Sequence, residues 1–319
     1  MKKIIEIILL IIVIILVAGI LFFAKKDSKK DNDKLNIVVT TFSSYDFTKQ
    51  IVGEEANVTY LLGPGVDAHS YEPSANDLIK IKDADIFIYV GGEMEKWMDK
   101  ILETDVISSD TLLIKISDVV DLIEEEEVDG AEEDEHEHEH EEEGAFDEHV
   151  WTSPKNAIKI VKYLGEEISK KDEKNKDLYL KNSEKYIEEI EEVQLKIKEI
   201  VDNKKRDRLV FGDKMPMQYF LNEYNLKASA AFNGCSTETE PSTKTITYLI
   251  EKVKEEKIPV ILYIELSTGK TAKTIAEETG AEALQIQTLH NISRDDFENG
   301  ETYVSLMTRN LEVLRKALN

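Results

Sequence analysis

One cysteine in 319 residues removes two possibilities at once. No intramolecular disulfide can staple the chain, and no paired-cysteine zinc site can be built, so metal chemistry must use nitrogen and oxygen. Positive charge is also short: 40 Lys and Arg stand against 65 Asp and Glu, for a formal net charge of −25. Such a surface repels phosphate backbones, which excludes nucleic acid as a partner and fits cations. The GxSxG and GxxxxGK[ST] motifs are absent, and with them the common sequence signs of a serine hydrolase and a P-loop NTPase. What is present is ample for folding. The hydrophobic share is 41%, which excludes global disorder, and the length suggests about two domains of ~150 residues each.

The N-terminus sets the compartment. From Ile7 to Ala24 there are 18 apolar or glycine residues in a row, a helix of ~27 Å, close to the hydrocarbon thickness of a bilayer. Residues 1–26 are therefore expected to be an uncleaved signal-anchor, with a cleaved signal ending near Val17-Ala18-Gly19 as the alternative. Lys2 and Lys3 oppose Lys25, Lys26, Lys29 and Lys30 in setting orientation. The acidic remainder points to the extracellular face of the plasma membrane. Residues 27–35 form a polar tether.

Beyond the tether the pattern alternates strand and helix. Leu35–Thr41, Val58–Leu62 and Asp85–Val90 are predicted strands, with helices over Phe42–Val52 and Ser74–Lys82. The rhythm returns with strands at Arg208–Phe211, Pro259–Ile264 and Ala283–Ile286, and helices at Met217–Tyr224, Lys270–Thr279 and Tyr303–Leu318. These are βαβ units, so the expected class is α/β with a parallel sheet flanked by helices in each of two lobes, 36–152 and 205–319. Residues 153–204 link them. Within that segment Lys171–Asn203 carries Tyr186, Ile187, Ile190, Val193, Ile197, Ile200 and Val201 on one stripe, predicting one long rigid helix as a strut.

The histidines carry the chemistry. Glu124–Glu148 holds 16 acids and no Lys or Arg, with His136, His138 and His140 alternating among glutamates. Like charges repel, so this tract is expected to be a disordered loop that collects metal loosely. The other three histidines fall where strand-to-helix loops should be. His69 lies in Gly65–Pro73 after the second strand, His149 in Asp147–Trp151 before a helix, and His290 in Thr288–Asn291 after the last strand. Parallel sheets bind ligands at the carboxyl ends of their strands, so the three are predicted to converge on one cleft.

These motifs resemble the metal-binding lipoprotein family, the solute-binding subunits of zinc and manganese ABC importers. The resemblance covers residues 36–319 and rests on Gly65-Val66-Asp67-Ala68-His69-Ser70-Tyr71-Glu72-Pro73, on Asp147-Glu148-His149-Val150-Trp151-Thr152-Ser153-Pro154, and on the His/acid tract ahead of the second motif. It implies two α/β lobes with one metal in the cleft between them and two ligands from each lobe. In the family, a His or Glu stands five residues ahead of a Tyr-Phe pair. Here Lys214 holds that place ahead of Tyr219-Phe220, and a protonated amine cannot ligate a cation. Asp213 is the candidate fourth ligand and Glu240 the competing acid. His290, ahead of Asp296 and Tyr303, falls near the family's last ligand. Cys235 is a soft donor in principle, but a lone thiol outside the cell is prone to oxidation. Glu72 is a candidate for orienting the histidine rings.

Three imidazoles and a carboxylate favour Zn²⁺ over Mn²⁺, which prefers more oxygens. The expected function is capture of Zn²⁺ and delivery to an ABC permease by a monomer. A manganese-binding protein, a metal-dependent adhesin, and a zinc-dependent hydrolase are the alternatives. The hydrolase would need an open coordination position beside a general base. Because imidazoles bind metal only when neutral, affinity is expected to fall as pH drops through ~6.5.

Overall fold

The computed structural model describes residues 34–131, 146–234, 236 and 240–319. The expected anchor, most of the tether, His136, His138, His140 and Cys235 lie outside the described residues. Among the described residues no helix is long and apolar enough to cross a membrane. Leu35–Asn319 forms one compact unit.

Strands β1 (Asn36–Val39), β2 (Asn57–Tyr60), β3 (Ile86–Tyr89) and β4 (Leu112–Lys115) make a parallel sheet in the order β2-β1-β3-β4. The β-branched and aromatic residues of β1 and β3 are buried, as central strands covered on both faces require, whereas the edge strands are only half-buried. Helix α1 (Phe42–Val52) begins where Thr41 accepts from Ser44 N. Helix α2 (Ala75–Lys82) begins with the Ser74/Asp77 capping box, and α3 (Trp97–Leu102) follows β3.

The second sheet repeats the arrangement: β5 (Arg208–Met215), β6 (Lys227–Asn233), β7 (Val260–Ile264) and β8 (Glu282–Ile286) lie parallel in the order β6-β5-β7-β8. The linking segment 153–204 is a pair of helices rather than a single strut. Helix α4 (Pro154–Lys171) and α5 (Lys176–Asp202) are separated by a turn at Glu173–Asn175. Asp172 breaks the path with φ −128° and ψ 76°, and its carboxylate accepts from Asn175 Nδ2 and Tyr179 Oη. The expected stripe is buried on α5, with Ile187 half-buried. Twenty-seven residues give a helix of ~40 Å. The C-terminal lobe continues with α6 (Gln218–Tyr224), α7 (Thr243–Glu256), α8 (Lys270–Thr279), α9 (Arg294–Glu298) and α10 (Tyr303–Leu318).

Helix α5 packs against α1, α4 and α10, so it touches elements of both lobes. The apolar interior follows. Phe47, Trp151, Tyr186, Phe220 and Leu306 belong to one continuous cluster running through both lobes, while Val210, Leu249, Ile261 and Ile275 form a second on the other face of the C-terminal sheet.

The acidic tract differs from its expectation at its beginning. Glu124–Ala131 is folded: Glu124 bridges Phe146, and Asp129 pairs in parallel with Ser229 beside the edge strand β6. Gln218 Nε2 donates to Glu124 O at 2.7 Å, Val128 N to Asn233 Oδ1 at 3.0 Å, and Arg208 Nη1 to Asp129 Oδ2 at 3.0 Å. Charge repulsion is outweighed here because backbone groups and one carboxylate find partners on the C-terminal lobe.

Candidate metal centre

The first histidine is delivered by the β2–α2 loop. Asp67 Oδ1 accepts from His69 N at 2.9 Å and starts a short 3-10 turn, Ala68–Ser70, that turns the imidazole inward. The second precedes the turn Val150–Thr152, which leads into α4 capped by Ser153. Asp147 Oδ1 accepts from both His149 N at 2.7 Å and, in the corresponding tautomer, His149 Nδ1 at 2.9 Å. That pair fixes the ring and leaves Nε2 as the outward donor.

The third histidine follows β8. Leu289 adopts φ +63°, an unusual conformation for a buried leucine. The loop is held there by Glu265 at the end of β7. Its carboxylate accepts from Thr288 N at 2.8 Å, Thr288 Oγ1 at 2.7 Å and Asn291 N at 3.2 Å. Gly65 N donates to Ile292 O at 2.8 Å, tying the His69 loop to the His290 loop. Trp151 lies against His149 and His290, with ring centroids 5.6 and 5.8 Å away, and its Nε1 donates to Thr288 O at 3.1 Å.

The three rings meet. Donor atoms of His69, His149 and His290 lie within 4.8 Å of one another, and ring centroids are 4.8–5.7 Å apart. A tetrahedral zinc with nitrogens at ~2.0–2.1 Å holds pairs of them about 3.4 Å apart, so small ring rotations close the set. His69 Nε2 and His149 Nε2 are buried with no hydrogen-bond partner. Buried polar atoms are ordinarily satisfied, and these two face a position where a cation would satisfy them.

Electrostatics prepare the rings unequally. Burial, then the neighbouring His149, pushes the His69 pKa down to about 3. Burial and the other two histidines hold His290 well below the ordinary value. Burial also opposes a charge on His149, but Asp147, aided by Glu148 and Glu125, outweighs it and raises that pKa. Lys214 adds to the depression of His69 and His290.

Carboxylates predicted from sequence are placed differently. Among the described residues none joins the three histidines within the 4.8 Å grouping. Asp213 accepts from Lys214 N at 2.9 Å through Oδ1, while its Oδ2 is buried without a partner. Glu240 is exposed and pairs with Lys270 Nζ at 3.4 Å. Glu72 is exposed. The carboxylate that orients a ring is instead Asp147, and the one that braces a loop is Glu265. Sequence reasoning passed over both. Asp147, two residues before His149, was legible as a partner, and Glu265 closes an apolar strand, where a lone acid needs buried donors.

Comparison with known proteins shows the family. The family model described as "ZnuA: Zinc-uptake complex component A periplasmic" matches residues 37–317. The chain belongs to the ZnuA family. It is 34% identical over 291 residues to the zinc-binding lipoprotein AdcA of Streptococcus pneumoniae, covering 90% of this chain and 56% of AdcA. The chain thus spans about half the length of that relative. It is 35% identical over 292 residues to the high-affinity zinc uptake system protein ZnuA of Bacillus subtilis, covering 92% and 89%. The crystal structure of the Zn(II)-bound ZnuA-like domain of Streptococcus pneumoniae AdcA superposes with a TM-score of 0.74 at 33% identity, covering 89% of this chain and 99% of that one. The two-lobed parallel architecture is therefore the fold of the ZnuA family, as the sequence motifs imply.

Proposed function

We propose that this protein captures Zn²⁺ outside the cytoplasmic membrane and delivers it to an ABC-type permease. His69, His149 and His290 hold the ion, and the N-terminal apolar segment keeps the protein at the outer face of the membrane. The observation that carries this reading is the meeting of three imidazoles from three separate segments, two of them with buried, partnerless Nε2 atoms. A nitrogen-rich set suits Zn²⁺, and Mn²⁺ is the weaker alternative. The similarity to zinc-binding AdcA and to the zinc uptake protein ZnuA supports the same cargo.

A carrier fits the site better than a hydrolase. His149 is fully buried and His290 4% exposed. Asp147 is engaged by His149 and Glu265 by the Thr288–Asn291 loop, so neither carboxylate is available to activate a water. His136, His138 and His140 serve as a metal-collecting tract. The test is a metal titration of the soluble part, wild type against His69→Ala, His149→Ala and His290→Ala, with Zn²⁺ and Mn²⁺ in competition. Loss of tight zinc binding in each variant is expected. Retention in any two, or turnover in an esterase or amidase assay, would overturn the reading.

A further inference from the structure

Three imidazoles leave one corner of a tetrahedron to fill, and the expected carboxylates are not grouped with them. The donor that stands against His290, one of the three, is a sulfur. Met94 Sδ lies 3.1 Å from His290 Nε2, and Met94 is 3% exposed. Its position is built rather than incidental. Met94 sits in a 3-10 turn, Glu93–Glu95, at the carboxyl end of β3. Its backbone N donates at 2.7 Å to Glu148 Oε1, on the residue next to His149. Glu95 Oε2 accepts from Val90 N and Gly91 N, both at 2.7 Å, and closes the turn from behind. Gly92 enters the turn at φ +93°, where an added Cβ would stand 2.5 Å from Glu148 Oε1, so this close approach depends on glycine.

The spacing suits shared coordination. A nitrogen at ~2.0–2.1 Å and a sulfur at ~2.3 Å, the zinc–thiolate distance and so a lower bound for a thioether on zinc, stand about 3.6 Å apart on one tetrahedral ion. From the observed 3.1 Å, the pair need open by only about half an ångström to admit an ion between them. We propose that the Met94 thioether is the fourth donor of the cleft and widens its range from Zn²⁺ toward a soft monovalent ion, Cu⁺. A thioether is a soft, uncharged ligand. Replacing a carboxylate with it removes a negative charge and a hard oxygen, which disfavours Mn²⁺, is tolerated by Zn²⁺ and favours Cu⁺. Met94 therefore sets specificity. The inference rests on the cleft being a metal site at all.

The experiment uses the soluble protein, wild type and Met94→Leu, a substitution that nearly conserves volume and should fold. Cu⁺ and Zn²⁺ affinities are measured anaerobically by chelator competition, and X-ray absorption at each metal edge reports the scatterers. A sulfur shell is expected on Cu⁺ in the wild type and absent in Met94→Leu. Selenomethionine labelling should replace that shell with a heavier scatterer, a readout that needs no substitution. Cu⁺ affinity should fall tenfold or more in Met94→Leu, and by a larger factor than Zn²⁺ affinity falls, because the soft ion depends more on the thioether. Wild-type Cu⁺ bound by nitrogen alone, or a Met94→Leu protein with Cu⁺ affinity within threefold of wild type, would overturn the proposal while leaving zinc capture standing. Failure of wild type to bind either ion would remove the metal site itself.

Discussion

At the residue scale the site is a set of three histidines with unequal proton affinities. Near pH 6 His69, with its pKa down to about 3, and His290 are already neutral, while His149 carries the proton that Asp147 stabilises. Zinc binding at that pH should expel close to one proton rather than three, and affinity should fall about tenfold per pH unit once pH drops below the raised pKa of His149. Isothermal titration in buffers of different ionisation enthalpy reads this number directly. The metal-free protein should show the complementary stability. Depressed His69 takes up its proton only on unfolding, so its contribution is lost as pH falls from ~6.5 toward about 3, and the depressed His290 acts in the same direction. The raised His149 contributes stability below ~6.5 that is lost as pH climbs through its folded value. Glu265 gives a second prediction. Glu265→Ala frees the Thr288–Asn291 loop and should weaken zinc binding about 10- to 100-fold, the usual effect of removing an outer partner of a ligand, as read by chelator competition. The histidines themselves were legible because residue type and loop position coincide. Met94 carries no such signal, because nothing in a single methionine distinguishes a donor from core packing.

Elements were legible where period and punctuation agreed. Helices at Phe42–Val52, Lys270–Thr279 and Tyr303–Leu318 form over the predicted spans. Strands β4 and β6 and helix α7 received no assignment from sequence. Strand β6 reads Lys-Ala-Ser-Ala-Ala-Phe-Asn, with almost nothing β-branched or aromatic, and becomes a strand by pairing with β5. Helix α7 does carry an apolar period at Ile246, Leu249, Ile250 and Val253 behind a Ser242 cap, so the signal was present and unused. The end of α7 offers a test. Lys257 is exposed and caps the helix in the left-handed region at φ +53°. Glycine pays no steric cost there, so Lys257→Gly should stabilise the protein by about 0.5–1 kcal/mol. Denaturant titration at unchanged m-value would register it, and a loss of stability would contradict the argument.

On the scale of the whole molecule, the lobes legible in the sequence are joined more closely than two independent domains. Asp46 on α1 is buried and accepts from Tyr186 Oη of α5 and from Tyr303 N of α10 at 2.9 Å, linking both lobes through one carboxylate. Burial, opposed by these donors, raises its pKa. Asp46→Ala leaves Tyr186 Oη and Tyr303 N without their acceptor and should cost about 2–4 kcal/mol, measured as a lowered denaturation midpoint. The acidic tract supplies the other molecular test, because the structure divides it at residues the sequence could not separate. Charge density is nearly uniform over 124–148, yet Asp129 is fixed by Arg208 and Ser229, and Asp147 N donates to Ile123 O at 3.1 Å. Removing only 132–145 takes away nine acids and three histidines without touching either root. The expected result is unchanged zinc affinity in the cleft with slower capture at scarce zinc, because the local negative field that concentrates cations is lost. Removing 124–145 should in addition destabilise the protein, since the contacts to Gln218, Asn233 and Arg208 go with it. Equal stability of the two deletions would mean that the 124–131 contacts contribute nothing to holding the lobes. Loss of tight binding in the shorter deletion would move the main site from the cleft to the tract.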